Sequence, residues 1–515
     1  MRIEAHGSSV VTLLLASGLL AVVTWNVIAT QGNLGWDDAD YLRNGLKTAN
    51  VIRATWLTNP SRALGSLMRV RPKPPMLVGW ISLGGLIPPL REPIRLILFS
   101  SVVPFAFLLV AVFATTRDLS GVRSTWAAIL AVGASPMALS FGSKVMVETF
   151  MATWVLLTYF FAAKLLDRPC GTRSMALGTA IGLVMMTKMT APMFLAAPAL
   201  WYIYRFVGRH GGKAASRRLP WILIPIVLIS GPWYAANLGK AIRFATFSAQ
   251  YNVVALAESD GISRISRPLA LVQALLGWPL VAAVILAGIM PRNRRGGGVQ
   301  RTDSANTFMI LSGLGTVSGV VFLLFPPYFD PRFLLPIWPS LAIVLGPSLR
   351  DAIRDRDRVL AVATVTLLSV AMIDSTTRLA REQHNTTYWK LSSLIEHLVK
   401  DYHVKNIYNV GDCPDWNVSK TGFLNELRPH PEDCFVLHDL SKAGLAEYNQ
   451  RIPDADAVVA LDRGRIPTSW FAYGPELNKG CDQIVDHLEH DERFFRIHHF
   501  NHADVPPLLV FVRAR

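Results

Sequence analysis

Three carboxylates and a tyrosine stand close together in residues 35–42, directly after the first long apolar stretch. Asp37 and Tyr41 are four residues apart, so a helix beginning here would place both on one face. A carboxylate in such a position can act as a general base toward a hydroxyl group. Acidic residues such as Asp37, Asp38 and Asp40 are also favoured at helix N-termini by capping and by the helix dipole. The two explanations are compatible, because a helix N-terminus also keeps a carboxylate ionised.

Basic residues follow in the same loop. Arg71 and Lys73 lie in a proline-rich run, residues 69–75, whose backbone is held rigid by its prolines. At a membrane surface these cations could hold a phosphate at the depth of the lipid headgroups, or they could be snorkelling residues that anchor an interfacial segment. More ionisable and polar residues mark the ends of later apolar stretches: Lys144, Glu148, Lys188, Tyr328, Asp330 and Arg332. Several such groups converging on one face indicate a site rather than anchors.

The apolar stretches that would position these residues are typical of a membrane protein. The 515 residues are 51% hydrophobic and only 17% charged, whereas soluble domains carry about 25% charged residues. A transmembrane helix needs about 20 mainly apolar residues. We predict a mainly α-helical polytopic fold with about eleven spans: residues 10–29, 94–115, 125–141, 149–166, 174–188, 191–206, 221–238, 269–290, 308–325, 333–349 and 360–373.

The distribution of basic residues predicts the orientation. Lys and Arg outnumber Asp and Glu by 51 to 36, an excess that nucleic-acid binding would also produce. Here the basic residues concentrate in alternate short loops on the side of the N-terminus, as the positive-inside rule requires of cytoplasmic loops. We therefore predict no nucleic-acid partner, a cytoplasmic N-terminus, and an extracytoplasmic position for residues 31–93, 239–268 and everything after Ile373. The first apolar run is longer than that of a signal peptide, which favours an uncleaved first helix over a cleaved signal.

Residues 383–515 differ from the membrane domain, residues 1–382. Helix-like segments 388–402, 441–450 and 482–490 alternate with strand-like segments 404–410, 434–438, 455–461, 494–500 and 508–512. This alternation predicts a soluble α/β domain with a partly parallel sheet. Cys413 and Cys434 flank one loop of this domain, and in an oxidising compartment they form either a disulfide or two free thiols.

In their order along the chain, these motifs resemble those of GT-C glycosyltransferases, in the group of bacterial aminoarabinose transferases acting on lipid A and protein O-mannosyltransferases. That group has an acidic pair and a Tyr after the first span, a Lys-Pro-Pro in the same loop and an acidic residue opening the fourth span. A Gly-Leu…Thr-Lys stretch and an Arg/aromatic-Leu-Leu-Pro element follow. The matching positions here are residues 37–41, 73–75, 148, 182–188 and 332–339. Pro72 departs from the pattern, because aminoarabinose transferases commonly have a Glu there, and Pro72 cannot make the metal contact of such a Glu.

The resemblance implies a bacterial inner-membrane enzyme that modifies lipopolysaccharide or another cell-envelope glycan. A sugar linked to polyprenyl phosphate would pass, with inversion, to a hydroxyl of a glycan, lipid or protein acceptor outside the membrane. Asp37 would be the general base, and Asp38 or Glu148 would orient the acceptor or stabilise positive charge on the sugar. Arg71, Lys73 and Arg332 would hold the donor phosphate, and further substrate contacts would come from Tyr41, Lys144, Lys188 and Tyr328. No cofactor is assigned, although a divalent metal stays an open alternative.

Two other classes of protein are compatible with the topology. A transporter or flippase of an anionic lipid-linked solute would place ionisable groups near the midplane of the bilayer and would often show internal repeats. Here the candidate residues cluster at one surface and no repeat is evident. A non-catalytic receptor with a periplasmic sensor domain leaves Asp37 and Lys73 unexplained. The motifs therefore favour the glycosyltransferase.

Overall fold

The computed structural model describes residues 2–30, 36–68, 73–257, 267–289, 302–324, 331–354, 358–381, 387–410, 418–426, 436–439, 445–461, 479–497 and 508–514. The α-helices within these ranges are α1 Arg2–Ala29, α2 Trp36–Thr55, α3 Pro60–Met68, α4 Met76–Leu86, α5 Pro93–Ser120, α6 Thr125–Gly133, α7 Pro136–Ser143, α8 Val147–Asp167, α9 Gly171–Met185, α10 Pro192–His210, α11 Gly212–Ala257, α12 Arg267–Leu276, α13 Trp278–Ile289, α14 Asp303–Leu324, α15 Trp338–Arg354, α16 Arg358–Arg381, α17 Thr387–Asp401, α18 Val418–Glu426, α19 Leu445–Arg451 and α20 Lys479–Glu489. Short 3₁₀ helices occupy Pro88–Leu90, Val122–Ser124, Pro331–Ile337 and Ile452–Asp454. The strands are β1 Asn406–Val410, β2 Val436–Asp439, β3 Ala457–Leu461, β4 Phe494–Ile497 and β5 Leu508–Arg513.

Seven helices of the described residues are long and apolar enough to cross a membrane: Gly7–Ala29, Pro93–Ser120, Val147–Asp167, Gly212–Arg243, Asp303–Phe322, Arg332–Ile353 and Ala361–Ala380. An eighth span would combine Val122–Gly133 with Pro136–Ser143, two segments that meet at a bend of 76°. The predicted polytopic helical fold is confirmed, but the predicted count of about eleven spans is not. The 15 residues of α9 extend only about 22 Å, and the predicted span 269–290 is interrupted at Gly277, which has φ +69°.

The membrane helices pack around one apolar core. Buried side chains of α5, α6, α8, α13 and α15 meet in it, among them Leu108, Val132, Val155, Leu280 and Ile343. Other large apolar side chains of the bundle are exposed instead of buried in this core. On α10 Leu200 is 72% exposed, and on α11 Leu228 is 70% exposed. Exposed large apolar side chains on helices of this length are typical of a surface covered by lipid tails.

Helix α2 packs tightly against α4, on the side of the molecule where the candidate residues lie. A Cβ atom on Gly45 of α2 would stand 2.3 Å from Ile81 Cγ2 of α4, so only glycine permits this approach. The Ser82 hydroxyl of α4 donates a hydrogen bond to the Gly45 carbonyl oxygen at 3.0 Å. Leu42 and Leu46 of α2 are fully buried, which fixes the rotation of α2 and therefore the direction in which its first turn points.

The C-terminal domain contains a five-stranded sheet of order β2-β1-β3-β5-β4. Strand β1 is parallel to β2 and β3, whereas β5 is antiparallel to β3 and β4. Side chains alternate between the two faces of the sheet, as the strand repeat of two residues requires. Tyr408 and Val458 face α19 and α20, and Ile407 and Val459 face the other way. The partly parallel sheet matches the prediction, and each predicted helix and strand of this domain has a counterpart within a few residues.

One helix of the C-terminal domain was not predicted. Helix α18 packs against α2, and its Phe423 is fully buried in the same cluster as Leu42 and Leu46 of α2. The Asn50 side-chain amide of α2 donates a hydrogen bond to Glu426 Oε2 of α18 at 3.2 Å. The C-terminal domain therefore packs directly against α2, the helix that carries Asp37.

Candidate active site

Asp37 lies in the first turn of α2 between two cations. Lys73 Nζ is 3.0 Å from Asp37 Oδ1 and 3.7 Å from Asp40 Oδ2. Arg332 Nη1, at the start of the 3₁₀ helix that leads into α15, donates a hydrogen bond to Asp37 Oδ2 at 3.1 Å. Both oxygens of Asp37 therefore contact a positive charge, although Asp37, Lys73 and Arg332 lie in three segments that are far apart in the sequence.

Glu148 continues this arrangement on the other side of Arg332. Lys188, which follows α9, has its Nζ 2.6 Å from Glu148 Oε1, and Arg332 Nε is 3.8 Å from the same oxygen. Glu148 is in the first turn of α8 and only 1% exposed, whereas Lys188 and Arg332 are each 21% exposed. Six side chains thus form a continuous row of alternating charge, called here the ion row: Asp40, Lys73, Asp37, Arg332, Glu148 and Lys188.

The electrostatics of the ion row keep Asp37 and Lys73 charged. Burial alone would raise the pKa of Asp37, but the positive charges of Lys73 and Arg332 outweigh it and hold this pKa well below its usual range. Burial opposes the charge on Lys73, yet Tyr41 and the carboxylates of Asp37 and Asp40 raise the pKa of Lys73 above its usual value. A carboxylate this acidic is a weak base as long as both cations stay on it.

Asp38 is in a different environment from Asp37, although the two are adjacent. It is 3% exposed, and its Oδ1 accepts a hydrogen bond of 2.6 Å from the backbone N–H of Val145. Burial raises the pKa of Asp38 to about 6, although the positive charge of Lys144 and the Val145 N–H act in the opposite direction. Asp38 therefore joins the start of α2 to the segment between α7 and α8, and this contact explains its burial better than contact with a substrate.

Aromatic rings cover the cations of the ion row. Lys73 Nζ lies 5.0 Å from the centre of the Tyr41 ring, and Lys188 Nζ lies 4.2 Å from the centre of the Phe333 ring. Such distances allow cation–π attraction. Phe333 was assigned no role from the sequence, although its position directly after Arg332 in the matched motif was the available signal.

The structure brings seven of the ten predicted site residues together: Asp37, Asp38, Tyr41, Lys73, Glu148, Lys188 and Arg332. The positive charge of Lys144 lies near Asp38 and acts to lower the pKa of that carboxyl group. Arg71 and Tyr328 lie outside the described residues. Within the described part of the chain, no group of three or more His, Cys, Asp or Glu side chains could hold a metal ion.

Comparisons with known proteins define the class of the fold. A family model described as dolichyl-phosphate-mannose-protein mannosyltransferase matches residues 73–234. ArnT from Cupriavidus metallidurans bound to undecaprenyl phosphate superposes with a TM-score of 0.64 at 13% identity, covering 98% of each chain, and its apo state gives 0.61 at 14%, covering 98% of this chain and 97% of that one. The Archaeoglobus fulgidus oligosaccharyltransferase gives 0.52 at 12%, covering 95% of this chain and 72% of that one. A search of curated proteins found no significant match.

These findings identify a membrane protein with the GT-C glycosyltransferase fold. The resemblance to GT-C enzymes that use polyprenyl phosphate, which the order of the motifs predicted, is thereby confirmed. The matched family segment begins at Lys73 and includes Glu148 and Lys188, so it contains three of the six members of the ion row.

Proposed function

We propose that this protein transfers a sugar from a polyprenyl-phosphate donor to an acceptor hydroxyl, with inversion at the anomeric carbon. The observation that carries the proposal is the position of Asp37 between Lys73 and Arg332. A general base and two cations suited to a phosphate are in direct contact there, in a fold similar to that of a protein bound to undecaprenyl phosphate.

The donor phosphate would activate Asp37 by competing for its cations. In the ion row, Lys73 and Arg332 hold the pKa of Asp37 well below its usual range. A phosphodiester between these cations would share their positive charge and add a negative charge near Asp37. Both effects raise the pKa of the carboxylate and make it a stronger base. Asp37 would therefore be a competent base only when the donor is bound.

Transfer would then be a single displacement. Asp37 takes the proton of the acceptor hydroxyl while the acceptor oxygen forms a bond to the anomeric carbon on the face opposite the phosphate. The bond between the anomeric carbon and the phosphate oxygen breaks, and its electron pair stays on the leaving polyprenyl phosphate. Lys73 and Arg332 would stabilise the charge that develops on this oxygen, with Arg71 and Tyr328 as further proposed donor contacts. No general acid is required, because the phosphate leaves as an anion.

Residues 1–382 would form the glycosyltransferase domain, and residues 383–515 an extracytoplasmic domain. The site would face the outside of a bacterial inner membrane, where no nucleotide-sugar pool exists. The acceptor would be a glycan, a lipid or a protein, and the sugar a hexose or a pentose. A reporter fused after Arg515 tests the orientation: activity on the extracytoplasmic side is expected, and activity confined to the cytoplasm would contradict it.

The direct test of the proposal uses the purified protein in lipid vesicles with labelled sugars on polyprenyl phosphate and a cell-envelope extract as acceptor. Label is expected to move to an acceptor, with release of polyprenyl phosphate in equal amount. Movement of the intact lipid-linked sugar across the bilayer without release would instead favour a flippase. A lipid phosphate without sugar should compete with the donor, because Lys73 and Arg332 recognise the phosphate.

A further inference from the structure

The two carboxylate oxygens of Glu148 have very different surroundings. Oε1 contacts Lys188 at 2.6 Å and Arg332 at 3.8 Å. Oε2 is buried, and no side chain or backbone group of the described residues donates a hydrogen bond to it. Glu148 is 1% exposed, so bulk water does not solvate this oxygen.

An ionised carboxylate oxygen without a hydrogen bond is costly inside a protein. Buried polar groups are nearly always hydrogen-bonded, so each exception requires a specific explanation. Lys188 Nζ, 2.6 Å from Oε1, pairs with the negative charge of Glu148 on that oxygen and leaves Oε2 without a donor among the residues that the structure describes. The group that completes Oε2 must therefore be a hydrogen-bond donor rather than an acceptor or an apolar surface.

The position of Glu148 relates this donor group to the reacting atoms. Arg332 contacts Asp37 through Nη1 and lies against Glu148 through Nε, so the two carboxylates flank one planar guanidinium. If Arg332 meets the phosphate, the sugar attached to that phosphate lies beside Arg332, the residue that also contacts Glu148. The ring hydroxyls of the sugar are then the nearest hydrogen-bond donors of the substrate.

The charges around Glu148 indicate a neutral hydroxyl rather than an ammonium group. Two cations, Lys188 and Arg332, already share the single negative charge of Glu148. A third cation at Oε2 would be repelled by both, whereas a hydroxyl donates a hydrogen bond without adding charge.

We infer that Glu148 is a specificity-determining residue whose Oε2 accepts a hydrogen bond from one neutral hydroxyl of the donor sugar. This inference rests on the proposed transfer of sugar from polyprenyl phosphate. A hydrogen bond to a charged acceptor corresponds to about 10- to 150-fold in binding. One deoxy donor, lacking the hydroxyl that Glu148 contacts, should be discriminated against by this factor, and the other deoxy donors should not.

The test combines a panel of donors, each deoxygenated at one ring position, with variants of Glu148. Wild-type protein is expected to prefer the hydroxylated donor strongly over the deoxy donor at one ring position. Glu148→Gln should show a smaller preference there, because its amide oxygen is a neutral acceptor. Glu148→Ala should show no preference at that position. Preferences at the other positions should stay unchanged. Glu92→Ala, which removes an exposed carboxylate paired with Arg95, is the matched control and should behave as wild type.

A purely structural Glu148 would lower activity with every donor by the same factor, and this result would overturn the inference. The same outcome is expected if water or a residue outside the described ranges completes Oε2. If donors with an amino group at the position contacted by Glu148 were preferred over donors with a hydroxyl there, the inference that this sugar group is neutral would be wrong. Donor binding is measured in parallel by thermal stabilisation. Wild-type protein that binds the donors without transferring sugar would refute the proposed function. The preference among deoxy donors in binding would still test the role of Glu148. Glu148→Gln retains the size of the side chain and serves if Glu148→Ala does not fold.

Discussion

Replacement of Lys73 by Met isolates the contribution of one cation to phosphate binding. The methionine keeps an unbranched apolar side chain over the Tyr41 ring, where Lys73 Nζ now lies 5.0 Å from the ring centre. It removes the charge that contacts Asp37 Oδ1 at 3.0 Å and Asp40 Oδ2 at 3.7 Å. Arg332 remains on Asp37, so the site keeps one of its two central cations.

The expected size of the effect follows from the loss of one charge-assisted contact, about 1.5–3 kcal/mol. The donor KM should therefore rise by about 10- to 150-fold, and kcat should fall as well because the leaving phosphate loses stabilisation. Loss of Lys73 should raise the pKa of Asp37, because burial then opposes its charge with only Arg332 in contact. Transfer is therefore measured over a range of pH, which separates weaker phosphate binding from protonation of Asp37.

The assay measures binding of polyprenyl phosphate and transfer of labelled sugar by wild type, Lys73→Met and Lys47→Met. Lys47 is exposed on the same helix, so Lys47→Met controls for loss of a positive charge on α2. Folding is checked by gel filtration and thermal unfolding of each variant. A folded Lys73→Met protein with unchanged donor KM and kcat would refute the assignment of Lys73 to the phosphate.

Three further predictions concern the structure around the site. Burial raises the pKa of Asp38 from 3.8 to about 6. Between these pH values the folded state binds more protons than the unfolded state, so the stability of the protein falls as the pH rises. Asp38→Asn should remove this pH dependence of thermal unfolding, and identical pH profiles of the variant and the wild type would contradict the prediction. Gly45→Ala should destabilise the protein by about 1–3 kcal/mol through overpacking against Ile81, and Gly45→Ala with Ile81→Ala should recover part of the loss, whereas additive losses would exclude the contact. Mass spectrometry of the unreduced protein should distinguish the two alternatives for Cys413 and Cys434, because a disulfide leaves no alkylatable thiol at these positions and free cysteines leave two.

Seven of the residues that the structure brings together were recognisable in the sequence, because each of their motifs is local. A carboxylate at a helix start, a Lys before two prolines and an Arg before an apolar helix are each visible without knowledge of the fold. The sequence could not show that Lys73 and Arg332 share one carboxylate, because 259 residues separate them and only packing of the helices brings them together. For the same reason, the hydrogen bond from the Val145 N–H to Asp38 was not foreseen.

Hydropathy predicted the presence of apolar helices better than it predicted the number of membrane spans. Helices α6 and α7 form one apolar run in the sequence, but they meet at a sharp bend between Gly133 and Pro136. Helix α18 was missed because its residues, Val418–Glu426, have no clear apolar repeat. Its buried face is defined by the partner helix α2, through contacts such as that of Asn50 with Glu426, and such a tertiary contact is not encoded in a local pattern.

The most direct test of the central claim is sugar transfer by Asp37→Asn. The asparagine keeps the shape of the side chain and one oxygen to accept a hydrogen bond from Lys73 or Arg332, but it cannot take a proton from the acceptor. We expect a folded protein that still binds polyprenyl phosphate and loses about 10²- to 10⁴-fold in transfer of labelled sugar. A folded Asp37→Asn protein with near-normal transfer would contradict the account and exclude Asp37 as the general base.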